Sequence, residues 1–312
     1  MMDKIPVWID TDPGVDDALA ILAALKEERL EIAGISAVAG NTGLENTYRN
    51  ARNIMAFAHR EDIPVYAGSA KPLFRELVTA PSAHGNDGLC GAVLPESTVP
   101  HTEMCAFDAL YACAKKYAGE LRLAAVGPLT NIALAFKKYP DLPGLLKEIL
   151  IMGGAAEKGN ITPCAEFNVY VDPHAAEAVF RCGKIVKMFG LDVTTEAYLT
   201  EEECAELSEG TTGFARFFRD STQNIIRLKE TMKNYELCMH DACPLVYLVH
   251  PEFFEGEECT VHVETEGRIT LGKTVTDLWS DQSFHEPHNA KVMLGVDRKK
   301  FTEYLKRKFA EY

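Results

Sequence analysis

The chain has 312 residues and is 47% hydrophobic, enough to bury a large core without disulfide or metal staples. Its formal net charge of −14 excludes a duplex-binding role, because a nucleic-acid partner needs a basic face to displace counterions. The nine cysteines are odd in number and form no C-x-x-C pair, which indicates neither a zinc centre nor a disulfide framework and fits a reduced, cytoplasmic compartment. The N-terminus reaches acidic residues before any apolar run of signal length, and no stretch of about 18 apolar residues follows. Neither secretion nor membrane contact is therefore expected.

In chain order, short apolar runs alternate with amphipathic stretches: Val7–Ile9 then Ala18–Leu25, Ile32–Val38 then Thr47–Ala58, and Leu121–Val126 then Asn131–Phe136. Ile149–Met152 and Ile185–Phe189 extend the series. This is the rhythm of an α/β fold, an open, mostly parallel, doubly wound (Rossmann-like) sheet with helices on both faces. Two stretches break it, Lys71–Pro100 and the segment from a helix near Phe214–Leu228 to His240, and long loops of this kind often close over sites. Val261–Glu264 and Thr274–Val275 predict a small antiparallel excursion before a last strand near Val292–Leu294 and a helix from Asp297. No Pro/Ser/Gly linker divides the chain, so residues 1–312 read as a single domain.

In a doubly wound sheet ligands sit outside the carboxyl ends of the strands. Directly after the first strand stands Asp10-Thr11-Asp12-Pro13-Gly14-Val15-Asp16-Asp17, four aspartates in eight positions. One or two of them can cap the following helix, but capping does not account for four. Like charges so crowded raise one another's pKa, a conflict that a bound cation removes, and an all-oxygen donor set favours Ca²⁺, Mg²⁺ or Mn²⁺ over zinc.

The run Asp10 to Ala18 resembles the signature of the inosine-uridine-preferring nucleoside hydrolase family. Four further segments follow in that family's order: Ala39-Gly40-Asn41-Thr42, Val126 to Asn131, Gly159 to Asn168, and His240-Asp241-Ala242-Cys243. The late stretch from Glu266 to Asp277 is similar as well. The resemblance implies hydrolysis of the N-glycosidic bond of ribonucleosides to free base and ribose, in nucleoside salvage or catabolism. It also implies a homo-oligomer, dimer or tetramer.

Carried onto matching positions, it implies one Ca²⁺ per subunit held by Asp12, Asp17, Asp241 and the main-chain carbonyl of Val126. A shell of six to eight oxygens then leaves room for a water and the ribose diol. Asp10 would orient these ligands or the water, or simply close a strand-end hydrogen bond. Calcium lowers the pKa of its bound water only modestly, so a base is still needed, and Asp12 is the expected one. Asp16, Asn41, Asn160, Glu166 and Asn168 are implied to grip ribose, although an Asn-x5-Glu-x-Asn run is also ordinary turn chemistry. Met152 packs against the sugar or belongs to the core. His240, beside Asp241, is the expected group at the leaving base, against the alternative of a satisfied buried histidine. On the base side His84 matches a family position near the substrate, and Tyr235 either stacks on the base or anchors its loop. The His240–Cys243 run leans toward pyrimidine nucleosides, uridine and cytidine, over inosine.

Two other readings compete. Asp10-Thr11-Asp12 also satisfies the Asp-x-Asp of haloacid-dehalogenase-type Mg²⁺ phosphatases, but that pattern leaves Asp16, Asp17 and the later segments unexplained. A nucleoside-binding protein without catalysis is the other, since a fold alone does not fix activity.

Overall fold

The computed structural model describes residues 4–231, 236–279, 281 and 283–312, with the backbone alone for 224–231. Its strands are β1 (Ile5–Thr11), β2 (Leu30–Ala37), β3 (Val65–Ala67), β4 (Arg122–Ala125), β5 (Glu148–Met152), β6 (Val186–Phe189), β7 (Tyr198–Leu199), β8 (Leu237–Cys238), β9 (Phe254–Cys259), β10 (Val261–Val263), β11 (Thr274–Thr276) and β12 (Ala290–Val296). Eight of these form one sheet in the order β3-β2-β1-β4-β5-β6-β12-β9. Every pairing in it is parallel except that of the edge strand β9 with β12. The expected doubly wound parallel sheet is present, and β10 with β11 forms the expected antiparallel excursion.

Alternation along β1 explains the two layers. Val7 and Ile9 point into one apolar cluster and Trp8 into another, as the two-residue period of a strand requires. The first cluster is covered by α1 (Val15–Leu25), α2 (Leu44–Phe57) and the helices Gly213–Thr231 and Arg298–Phe309. The second is covered by Ala106–Lys116, Thr130–Lys138 and Pro173–Phe180. Parallel strands buried on both faces read as continuous apolar runs, which is why β1, β2, β4, β5 and β6 are legible in the sequence.

Two sheet strands are not. β3 spans three residues, and β9 reads Phe-Glu-Gly-Glu-Glu-Cys, too acidic to resemble a strand. As an edge strand it exposes most of that acidic face, which also discourages further strand pairing. Among the described residues no helix is long and apolar enough to cross a membrane.

Candidate active site

β1 delivers Asp10 and Thr11 to the carboxyl edge of the sheet, and Pro13-Gly14 turns the chain into α1. Asp17 fixes this turn. Its carboxylate accepts the Gly14 N–H at 2.9 Å, and it also accepts from the Thr11 hydroxyl, the Asp12 N–H at 3.3 Å and the Asn41 side-chain amide at 3.1 Å. The capping role is therefore real at Asp17, and it is filled by that one residue. Asp12, fully buried, accepts the Asn41 N–H at 2.7 Å on Oδ2, while its Oδ1 is buried without a hydrogen-bond partner. Two glycines make the room for it. A Cβ on Gly40 would lie 2.1 Å from Oδ2, and one on Gly127 would lie 2.6 Å from Oδ1.

Carboxyl oxygens of Asp16, Asp17 and Asp241 lie within 4.8 Å of one another, all three residues being buried. Asp241 arrives from the other end of the chain, as the residue that starts the helix Ala242–Tyr247. Asp12 adjoins this trio without belonging to it. The family resemblance pairs Asp12 with Asp17 and Asp241 and gives Asp16 to the sugar, whereas the convergence among the described residues includes Asp16. Burial, followed by the charge of neighbouring aspartates, pushes the carboxyls of Asp12 and Asp241 well above the ordinary range. Burial raises Asp16 and Asp17 as well. Among the described residues no lysine or arginine pairs with any of the four. An enclosed all-oxygen cluster with an orphaned carboxylate oxygen and no cationic side chain fits a hard divalent ion.

Behind it, Asp10 accepts from the Ser36 hydroxyl and, at 2.7 Å, from the Asn131 amide, with Oδ1 left unpartnered. Burial lifts its pKa to about 7. The Asn131 amide oxygen in turn accepts the Ser69 N–H at 2.7 Å, so Asp10 is tied to β2 and to the loop after β3.

Asn168 bridges two strand ends, its side-chain amide donating to the carbonyls of Val126 at 2.9 Å and Met152 at 3.1 Å. Since a carbonyl has two lone pairs, Val126 keeps one for another partner. The buried Glu166 caps the helix Phe167–Val171, accepting the N–H groups of Asn168, Gly154 and Val169 at 2.8, 2.8 and 3.1 Å. Burial pushes its pKa to about 7 despite those donors. Asn160 is exposed and accepts the Phe167 N–H at 2.9 Å. Met152 is buried among core residues, its sulfur 3.4 Å from the Asn168 amide. Turn chemistry thus operates at Glu166 and Asn160, yet Glu166 Oε1 accepts only one N–H and keeps a lone pair, and the Asn160 side-chain nitrogen has no hydrogen bond among the described residues.

The Nδ1 of His84 accepts the Val15 N–H at 3.1 Å, which brings the short helix Pro81–His84 against the first turn of α1. His240 pairs its Nδ1 with the Thr194 hydroxyl at 2.7 Å. Burial lowers the pKa of both rings, favouring neutral imidazole, against the nearby charges of Asp17 and Asp16 respectively. Tyr235 lies outside the described residues. Sequence reasoning misses Ser36, Asn131 and Thr194. A signal existed for Thr194, because it follows the Ile185–Phe189 run at a strand end, where ligand-facing polar groups collect.

The doubly wound sheet, with an enclosed carboxylate cluster suited to a metal ion at its carboxyl edge, defines the class: an α/β protein with a metal-type site at its strand ends. A family model described as "Inosine-uridine preferring nucleoside hydrolase" matches residues 7–303. Over 309 residues the chain is 39% identical to the non-specific ribonucleoside hydrolase RihC of Escherichia coli O7:K1, covering 97% of each. To the pyrimidine-specific ribonucleoside hydrolase RihA of Escherichia coli K12 it is 38% identical over 312 residues, covering 96% of this chain and 97% of that one. The solved plant nucleoside hydrolase PpNRh1 superposes with a TM-score of 0.91 at 32% identity, covering 97% of this chain and 98% of its own. The chain belongs to the inosine-uridine preferring nucleoside hydrolase family. It is a ribonucleoside hydrolase, a nucleosidase that splits the N-glycosidic bond, and the phosphatase and purely binding readings fall away.

Proposed function

We propose a calcium-dependent ribonucleoside hydrolase with uridine and cytidine preferred over inosine. The observation that carries the metal assignment is the convergence of Asp16, Asp17 and Asp241 beside an unpartnered Asp12 oxygen. Asp12, Asp17, Asp241 and the Val126 carbonyl would hold one Ca²⁺, which when bound supplies a seat for the ribose 2′- and 3′-hydroxyls and acidifies water.

The chain's own groups do the rest. Asp12 accepts the proton of the attacking water, a role suited to a carboxyl that burial has lifted well above the ordinary carboxylate range. Asp16, Asn41, Asn160, Glu166 and Asn168 hold the sugar hydroxyls while C1′ gains oxocarbenium character, and Met152 lines the sugar's apolar side. Asp10 keeps Asp12 and its neighbours oriented through the Ser36 and Asn131 network. His240 serves the departing base, with His84 and Tyr235 on the base side. The pyrimidine preference is supported by the His240–Cys243 run. The similarity to a pyrimidine-specific relative also agrees with it, although a non-specific relative is as similar. We also assign residues 1–312 to one domain, in a cytoplasmic homo-oligomer, dimer or tetramer.

The test is base release from uridine, cytidine, inosine, adenosine, guanosine and their 2′-deoxy forms, on protein of measured metal content and size in solution. Chelation should abolish release, calcium should restore it, and the deoxy forms should be poor. Full activity after complete chelation, or inosine ahead of both pyrimidines, would overturn the corresponding half.

A further inference from the structure

Antiparallel pairing of β7 with β8 brings Tyr198 opposite Cys238 and Leu199 opposite Leu237. The ladder continues with the Met239 N–H donating to the Ala197 carbonyl at 2.8 Å. Backbone alone therefore holds the Leu191–Thr194 turn against the segment ending in His240. It does not choose how the imidazole is turned. Among the described residues the ring has one hydrogen bond to make that choice, the 2.7 Å pairing of His240 Nδ1 with the hydroxyl of Thr194. Thr194 is fully buried, and its hydroxyl forms no other hydrogen bond among the described residues.

We propose that Thr194 is a positioning residue for hydrolysis: its hydroxyl holds His240 Nδ1, so that Nε2 carries the hydrogen and faces the leaving base. The proposal rests on the reading of His240 given above. With the Thr194 O–H as donor, neutral imidazole takes the tautomer whose Nε2–H can donate. When the C1′–N bond breaks, its electron pair passes to the base, and the Nε2–H hydrogen bond stabilises the resulting anion. Without the hydroxyl, the ring is free to flip or to adopt the other tautomer, and the anion loses its donor.

The discriminating substrate is 4-nitrophenyl β-D-ribofuranoside, whose leaving group is already a stable anion and needs no donor. Relative to wild type, T194V should lower kcat for uridine about a hundredfold, the lower end of what one acid–base contribution supplies, with KM changed less than about threefold. Its rate on the nitrophenyl riboside should stay within about threefold, and T194S should recover most of the uridine rate. Equal losses on both substrates would reveal a merely structural threonine, and no loss on uridine would dismiss the contact; either result overturns the proposal. H240Q on the same pair separates the two layers. If it spares uridine, or harms both substrates alike, the role of His240 fails first; if it reproduces the selective loss while T194V does not, only the assignment of Thr194 fails.

Discussion

Substituting Gly127 by alanine tests whether the exact seat of Asp12 governs catalysis. The added Cβ would lie 2.6 Å from Asp12 Oδ1 and 3.0 Å from the Asp12 nitrogen. Ordinary contact begins at 3.4 Å, so the carboxylate or the end of β4 must move by about 0.8 Å. Asp12 cannot swing away freely, because it is fully buried and Oδ2 is held by the Asn41 N–H at 2.7 Å. Overpacking of this kind costs about 1–3 kcal/mol, visible as a melting temperature a few degrees lower. A base displaced by nearly an ångström should cost about a hundredfold in kcat. The assays are initial rates of uracil release and thermal unfolding of G127A, with G43A as control, since a Cβ on Gly43 meets nothing within 4 Å. A G127A enzyme with kcat within about threefold of wild type would refute the placement of Asp12 at the chemistry.

Two further outcomes follow from the charges. In the metal-free protein, Asp10 and Glu166 have pKa values raised to about 7 from 3.8 and 4.5. The folded state therefore holds protons that the unfolded chain gives up, so these groups stabilise it below about pH 4 and that stability is lost as pH rises through 7. For Glu166 alone the loss is on the order of 3 kcal/mol. Calcium should offset this charge, so the gain in melting temperature on adding it should be larger at pH 8 than at pH 5.5; an equal or reversed gain contradicts the linkage. Far from the site, Glu27 after α1 accepts from Arg29 at 2.8 Å, from the Tyr304 hydroxyl at 2.9 Å, and pairs with Lys308 at 3.4 Å. Burial opposes its ionisation, but those donors prevail and bring its pKa from 4.5 down to about 2. Its contribution is present above pH 4.5 and lost as pH falls through 2, so E27Q should unfold more easily at pH 7 by about 2–3 kcal/mol, with kcat unchanged. Equal denaturant midpoints for E27Q and wild type would show the network to be neutral.

The fold was readable where burial on both faces writes a strand as an apolar run. It was not readable at β9, whose glutamates face outward, nor at β3, which is too short to show any period. The acidic knot could be found because four aspartates in eight positions conflict electrostatically unless something reconciles them. What the sequence could not say is how they divide. Asp17 caps α1 and joins the trio at once, and Asp16 points into the convergence, because helix phase and not spacing along the chain sets which carboxyls meet. Thr194 and Asn131 stand after strands, where polar groups collect, but His240 and Asp10 lie 46 and 121 residues away from them, and the local sequence does not say which partner each one meets.

Glu27 and Asp12 show how the same residue class is put to opposite uses in one chain. Glu27 is surrounded by Arg29, Tyr304 and Lys308, so its charge is satisfied within the protein and nothing is left for a ligand. Asp12 has equal or greater burial, a carboxylate with only a backbone donor, the Asn41 N–H, and one oxygen with no donor at all. Leaving a buried carboxylate oxygen unmet costs stability that the fold could recover by recruiting a hydrogen-bond donor or a lysine. Both glycines beside it instead keep that space open. A buried carboxylate oxygen left without a donor calls for a partner from outside the chain, and Asp12, set against the Asp16–Asp17–Asp241 convergence with Asp10 and its own unmet oxygen directly behind, is where a cation answers that call best.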